Sequence, residues 1–232
     1  MCRLNRIAAA VSIAAAWGGA QAADIAWATG PTFNGPNGHL GILTNGSLVE
    51  AINLSGSTVA VPTVDPGGIN LTFSSVNSAF FPQSYGTATG GGNVDPGWSQ
   101  ILATFEWQSS SDVTAVGFLS GLTAGHDYQV QLFSARGDHC CGRTHWFGDG
   151  NSHTSAPLAD DSYVSVVGSF TADATSQTLQ FFDSSHNPYL NAYVLRDLTS
   201  PVPEPGTVGL MLAGLAVVGA VQGRRDRKVR LG

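Results

Sequence analysis

Side chains that could do chemistry are concentrated in one stretch of the chain, residues 136–161, which is nearly free of aliphatic residues. An exposed indole offers a flat apolar face for the C–H side of a sugar ring, and a few convergent polar groups would orient the sugar. The residues that fit these two roles are Asp138, Arg143, His145, Trp146 and Asn151. We predict that this stretch is a long loop that binds a neutral or weakly charged glycan. The alternative is that Trp146 folds back over one open end of the domain.

Oxygen ligands for a cation follow in the same stretch. Asp149-Gly150-Asn151 supplies alternating oxygens around a turn, and the Asp160-Asp161 pair comes shortly after it. Ca²⁺ prefers such oxygens, although no glutamate completes an EF-hand pattern and these clusters also form ordinary turns. Structural calcium is the one cofactor that we expect, with the ligands Asp149, Asn151, Asp160 and Asp161.

Signatures of catalysis are absent from the sequence: it contains no nucleophile elbow, P-loop or HExxH motif. Glu50 and Glu106, the only glutamates between residues 23 and 200, fall in predicted strands and are expected to face solvent. The adjacent Cys140 and Cys141 could be free thiols, a strained vicinal disulfide or an intermolecular bridge. We expect a binding module and not an enzyme. A glycan-active hydrolase and a purely structural surface protein are the alternatives.

The charge of the central part of the chain limits its partners. Residues 23–200 contain fourteen acidic residues, three arginines and no lysine, which gives a formal charge of −11. Such a surface repels phosphate backbones, so nucleic acid is excluded as a partner.

Apolar residues between positions 23 and 200 recur with a period of two, which is typical of strands, and Gly, Asn and Pro turns separate the runs. No amphipathic helix is predicted there, and residues 82–98 and 136–161 are predicted loops. The pattern indicates an all-β fold, an antiparallel β-sandwich or jelly roll. The predicted strands are 24–28, 40–43, 48–54, 58–61, 69–73, 101–107, 112–119, 128–134, 163–170, 177–182 and 190–195.

The first 22 residues have the features of a secretory signal peptide. Arg3 and Arg6 precede an apolar run, and Ala20 and Ala22 form an A-x-A site before Ala23. We predict a signal helix over 1–22 that signal peptidase removes, with Ala23 as the mature N-terminus. The β-sandwich domain then occupies 23–200.

The C-terminal part, 201–232, combines three features in a fixed order. Pro201, Pro203 and Pro205 keep its beginning extended. The uncharged run 206–223 is long enough for a transmembrane helix. A basic stop of Arg224, Arg225, Arg227 and Lys228 follows, and by the positive-inside rule this end stays in the cytoplasm.

The motif Val202-Pro203-Glu204-Pro205, followed by the apolar helix and the basic cluster, resembles the PEP-CTERM sorting signal. The resemblance implies that exosortase reads the motif and removes the tail, and that the protein goes to the cell surface or the extracellular matrix. Extracellular polysaccharide is then the expected partner. The alternative is an ordinary single-span membrane anchor.

A second resemblance covers most of residues 40–198. The segments 44–51, 119–132, 168–173 and 190–196 are similar to a group of exported bacterial proteins with PEP-CTERM tails. That group is similar in style to galactose-binding-like β-sandwiches and has no established activity. The resemblance implies the fold and leaves the ligand open.

Overall fold

The computed structural model describes residues 23–63, 70–76, 80–86, 95–109, 114–136, 142–185 and 187–199. The chain divides into two compact units, Met1–Leu198 and Thr199–Gly232. The predicted signal helix, the transmembrane helix, the sorting motif and the basic stop lie outside the described residues. Within those residues no helix has the length and apolarity needed to cross a bilayer. The domain bounds 1–22, 23–200 and 201–232 stay a prediction.

The largest sheet has seven strands in the order β1-β11-β8-β14-β2-β4-β3. Its pairs are antiparallel except for β2 and β4, which run parallel. The strands are β1 (Ala26–Thr32), β2 (Ser47–Leu54), β3 (Val59–Val61), β4 (Leu71–Val76), β8 (Asp127–Phe133), β11 (Val164–Thr171) and β14 (Ala192–Asp197).

Two smaller sheets complete the β-structure of the described residues. The four-stranded sheet has the order β10-β9-β12-β7, and the three-stranded sheet has the order β13-β6-β5. All their pairs are antiparallel. Their strands are β5 (Gln83–Tyr85), β6 (Phe105–Trp107), β7 (Thr114–Ser120), β9 (Thr144–Gly148), β10 (Leu158–Ala159), β12 (Ser176–Asp183) and β13 (Tyr189–Leu190).

The main core joins the large sheet to the four-stranded sheet. Val130 and Leu195 of the large sheet are buried in one cluster with Leu179 and Phe181 of β12. A second cluster covers the opposite face of the large sheet, where Val194 packs with residues of the short helix α1 (Pro96–Leu102). Strand β14 is therefore buried on both faces, which explains its nearly continuous apolar sequence. This layering is consistent with the predicted all-β sandwich.

Helix α1 was not expected, because residues 82–98 read as a glycine-rich loop. The carboxylate of Asp95 caps the helix by accepting a hydrogen bond from the Trp98 N–H at 2.7 Å, and Pro96 occupies the first turn. Trp98, Ile101 and Leu102 have helical spacing and are all fully buried. The predicted strand 101–107 therefore begins only at Phe105.

Three other predictions about elements were wrong. Residues predicted as the strand 40–43 overlap a short 3₁₀ helix, Gly38–Gly41. The predicted loop 82–98 contains β5 as well as α1. The predicted loop 136–161 contains β9 and β10. Buried and partly buried side chains alternate along most of β9, in Thr-His-Trp-Phe-Gly. This alternation could not be recognised from the sequence because it is only five residues long and polar residues flank it.

Candidate functional site

The three-stranded sheet presents aromatic side chains on one face. Tyr85 pairs with Phe105, and Trp107 pairs with Tyr189, so the four residues lie on the same side of the pleat. The rings of Tyr85 and Phe105 stack with centroids 5.0 Å apart, and the Phe105 and Tyr189 rings lie 5.2 Å apart. These strands are only two or three residues long and form few backbone hydrogen bonds. Contacts between the aromatic rings therefore contribute a large part of the stability of this sheet.

The side chains of Arg136 and Arg143 reach this aromatic face. The backbone of Asp160 forms hydrogen bonds to the backbone of both residues and so holds their two segments together. The Asp160 N–H donates to the Arg143 carbonyl, and the Arg136 N–H donates to the Asp160 carbonyl, both at 3.1 Å. The Arg136 guanidinium carbon lies 5.1 Å from the Phe105 ring centroid, a cation–π distance. Arg143 Nη1 donates to the Asn187 carbonyl at 3.4 Å.

Together these residues enclose a pocket of about 270 Å³. Its volume is slightly below the roughly 300–1,000 Å³ of typical small-molecule sites. Two of the three arginines found between residues 23 and 200 line it. The lining residues are Tyr85, Phe105, Trp107, Arg136, Arg143, Asn187 and Tyr189. Stacking surfaces next to hydrogen-bond donors are what recognition of a ring-shaped polar ligand requires.

Buried ionisable groups lie beside Tyr189. Burial raises the pKa of Asp160, the charge of Asp161 adds to the rise, and Arg143 and Arg136 oppose it. Burial also raises the pKa of the Tyr189 phenol far above its usual range, with the Asp160 charge adding to the effect. Burial lowers the pKa of His145 to about 4, so this imidazole is neutral at pH 7. Within the described residues no hydrogen-bond partner reaches His145 Nδ1 or Asp160 Oδ2.

The five predicted ligand-binding residues do not gather in one place. Arg143 lines the pocket, and His145 is buried with its ring 5.9 Å from that of Tyr189. Trp146 lies on strand β9, half-buried, and its ring stacks on Phe182 at 5.4 Å with the planes only 2° apart. Asn151 belongs to the turn after β9, and Asp138 lies outside the described residues.

The sequence reasoning missed most of the pocket. Tyr85 and Trp107 were not selected because each lies on a very short strand whose pairing depends on distant parts of the chain. Arg136 was noted as one of three arginines in the body, as the first residue of a predicted loop and as the start of a chance Arg-Gly-Asp tripeptide, but not as a site residue. The sequence did offer one signal, which is the rarity of arginine. Because residues 23–200 contain only three arginines and no lysine, basic side chains are not used there as ordinary surface charges, and each arginine is a candidate for a specific role.

Asp149 anchors the segment that precedes β1 and the turn that follows β9. Its Oδ2 accepts hydrogen bonds from the Ile25 N–H and from His153 Nδ1, at 3.0 and 2.8 Å. Its Oδ1 accepts from the N–H groups of Asn151 and His153, at 2.7 and 3.2 Å. A carboxylate offers about four lone-pair positions, so the acceptor capacity of this buried side chain is fully used.

The predicted calcium ligands are not all neighbours. Among the described residues, Asp24, Asp149 and His153 form a group whose ligand atoms lie within 4.8 Å of one another. Asn151 joins it, since its Nδ2 donates to Asp24 Oδ1 at 3.0 Å. Asp160 and Asp161 are not part of this group. Asp160 lies instead beside the pocket arginines.

The calcium prediction stays a prediction, and the geometry sharpens its test. His153 Nδ1 occupies the side of Asp149 that faces Asp24, so a cation must displace it. We expect millimolar Ca²⁺ to raise the Tm relative to chelator, His153→Ala to increase the rise and Asp24→Asn to abolish it. Thermal melting of the three proteins measures this. If wild type, His153→Ala and Asp24→Asn each melt at the same temperature in Ca²⁺ and in chelator, the protein does not bind calcium at this site.

Both glutamates have partners, and neither matches the expected solvent-facing role. Glu106 is fully buried, and its Oε2 accepts hydrogen bonds from the N–H groups of Phe80 and Phe81 at 3.0 and 3.3 Å. Glu50 is half-buried and accepts a hydrogen bond from the Tyr193 hydroxyl at 2.9 Å. Burial raises the pKa of Glu50, and that hydrogen bond opposes the rise.

Comparison with known families identifies the C-terminal part of the chain. A model described as the PEP-CTERM protein-sorting motif matches residues 201–228. The prediction made from Val202-Pro203-Glu204-Pro205 is therefore confirmed. This motif indicates an exported protein that exosortase sorts, and it implies anchoring and processing at the C-terminal end.

Solved structures similar to the chain are distant in sequence. The ANX1 and ANX2 ectodomains from Arabidopsis thaliana have 12% and 11% identity with TM-scores of 0.49 and 0.48. The matches cover 68% and 69% of this chain and 52% and 56% of theirs, so the chain spans about half of those ectodomains. A β-glucuronidase 2 of Bacteroides uniformis has 14% identity and a TM-score of 0.45, over 65% of this chain and 18% of its own. A comparison with curated proteins returns no match.

Proposed function

We propose that the body of this exported protein is a non-catalytic module that binds a neutral glycan at the cell surface or in the extracellular matrix. The observation that supports it is the pocket on the three-stranded sheet. There the partly exposed rings of Tyr85 and Trp107 lie beside two arginines and Asn187. An aromatic face packs against the C–H side of a sugar ring, and guanidinium and amide groups hydrogen-bond to its hydroxyls. The pocket volume of about 270 Å³ is small, so we expect it to take the end of a glycan chain and not a long stretch of it.

The charges around the pocket favour a neutral ligand. Arg136 and Arg143 are close enough to Asp160 to lower its pKa, while Asp161 and Asp183 act in the opposite direction. Positive and negative groups are thus mixed at this site, and the body as a whole is strongly acidic. An anionic polysaccharide would be repelled at long range. Retention of a neutral glycan should depend little on salt.

A glycan-active hydrolase is the second candidate. Asp160, whose pKa is raised, lies near Asp183, and glycoside hydrolysis uses a protonated acid next to an ionised carboxylate. Both side chains are almost fully buried, at 2% and 0% exposure, so a substrate would reach them only after a rearrangement. This burial is the reason for preferring a binding module.

Two half-buried tryptophans provide a matched test. Trp107 lines the pocket, whereas Trp146 stacks on Phe182 on another sheet. We expect Trp107→Ala to weaken retention of the full chain on immobilised neutral polysaccharide about tenfold, because it removes a stacking surface. Trp146→Ala should leave retention unchanged. Affinity electrophoresis of the three proteins in detergent measures this, with melting curves to confirm folding.

The opposite result would place the site elsewhere. If Trp146→Ala abolishes retention and Trp107→Ala keeps it, the ligand binds around Trp146 and the pocket is not the site. Release of reducing ends from the same polysaccharide by wild-type protein would show a hydrolase. Asp160→Asn should then abolish that release and leave retention in place.

A further inference from the structure

The four-stranded sheet has an unprotected edge at β7. In the described residues β7 pairs with β12 on one side and lies last in the sheet order. It is seven residues long and contains no proline and no charged residue. Long exposed edges without such features act as templates for pairing with another strand.

The other edge strands of the described residues are each blunted. β1 carries Pro31 and an irregular register between Thr29 and Thr32. β3 and β5 have three residues each, and β10 and β13 have two. Short strands, prolines and bulges are the usual protection of sheet edges. Among these edge strands only β7 lacks such protection, and an unprotected edge of this length is a site for pairing with another strand.

The outer face next to this edge is largely apolar and carries no charged side chain among the described strand residues. Phe118 is 61% exposed and Val116 is 47% exposed, both on β7. Strands β9 and β12 extend this face with Trp146, Phe182, Gln180 and Thr178. The structure describes eleven of the fourteen acidic residues of the body, and none of these eleven lies on this face. Exposed apolar surface of this kind marks an interaction site.

We propose that β7 pairs with β7 of a second copy of this chain, in antiparallel orientation about Gly117. Gly117 is the middle residue of Thr114–Ser120, so a two-fold axis through it would pair all seven residues. Val116 of each copy then lies opposite Phe118 of the other. A β-branched residue facing an aromatic one is a favourable cross-strand pair, and symmetry forms it twice. The two four-stranded sheets would join into one.

The self-complementary pairing of Val116 with Phe118 makes a second copy the occupant, and the charge of the face permits it. Two bodies of formal charge −11 repel each other, so they can touch only where acids are few, and no described acidic residue lies on this face. Self-association should therefore become stronger as salt screens the repulsion. A cationic partner would show the opposite dependence on salt.

The experiment is sedimentation of the full chain in detergent over a range of concentrations, at low and at high salt. We expect a dimer whose formation increases with salt. Phe118→Lys should weaken it roughly tenfold, because both Phe118–Val116 cross-strand pairs of the dimer are lost. Leu40→Lys is the matched control, since Leu40 is 38% exposed on the 3₁₀ helix and should leave the dimer intact.

Hydrogen exchange locates the contact. Amides of Thr114–Ser120 should gain protection as the concentration of the chain rises, and those of the edge strand Leu158–Ala159 should not. Three results would overturn the proposal: a wild-type chain that stays monomeric, a dimer that Phe118→Lys leaves unchanged, or protection of β7 that is independent of concentration. Melting curves show whether the lysine variants are folded.

Discussion

Replacing Pro203, Glu204 and Pro205 by alanine should leave export intact and block removal of the C-terminal tail. Proline restricts φ to about −65° and lacks an N–H, so we expect this segment to be extended, as binding by a processing enzyme requires. Alanine, the best helix former, would let the apolar run continue upstream as a helix. Intact-mass measurement of the exported protein distinguishes the two forms directly.

A matched control is Pro201→Ala, which removes the proline before Val202-Pro203-Glu204-Pro205 and should leave processing unchanged. Both variants keep residues 1–22, the predicted signal peptide, so loss of export in either would indicate a folding defect. If the wild-type protein at the cell surface still carries Arg224 to Gly232, the tail is a permanent anchor and processing does not occur.

Asp149→Ala should be among the most destabilising substitutions in the body, lowering the free energy of unfolding by about 3–5 kcal/mol. The carboxylate is fully buried and accepts four hydrogen bonds, one of them from Ile25 at the start of the body. Without it, three backbone N–H groups lose their acceptor. Asp24→Asn is the control, because that side chain is 71% exposed and its loss should matter far less. Urea unfolding measures both.

The same residue should make stability depend on acid. Burial by itself would raise the pKa of Asp149, but hydrogen bonds from Ile25, Asn151 and His153 hold it below its usual value. The folded state therefore binds this proton less readily than the unfolded state. The stabilisation is present above about pH 4 and is lost as pH falls through the folded pKa.

Asp149→Asn cannot titrate, so its unfolding free energy should fall less than that of the wild type below about pH 4. Buried His145, with a pKa of about 4, affects stability at higher pH, between about 6.5 and 4, where the unfolded state takes up the proton first. The two effects are thus separated by pH. Identical acid sensitivity of wild type and Asp149→Asn would show that Asp149 is not the group responsible.

Regular strands could be predicted from the sequence because their alternation is local. The strands 48–54, 128–134, 163–170 and 177–182 were predicted within a few residues of β2, β8, β11 and β12. Helix α1 and strands β5, β9 and β10 were missed, since two to seven residues are too few to establish a period. Their existence depends on partners far along the chain, such as β12 for β9.

What the sequence determined by itself is the route of the protein and the class of its fold. The sorting motif needs only contiguous residues in order, and the alternation of strands is equally local.

Only the tertiary structure decided where chemistry is possible. It moved Trp146 from a supposed loop to a sheet face and turned Asp149 into an anchor. It also placed Arg136 and Arg143 beside aromatic rings up to about sixty residues away, because the backbone of Asp160 and three short strands bring those segments together. Neighbours of this kind are set by packing across the chain, which no local pattern encodes.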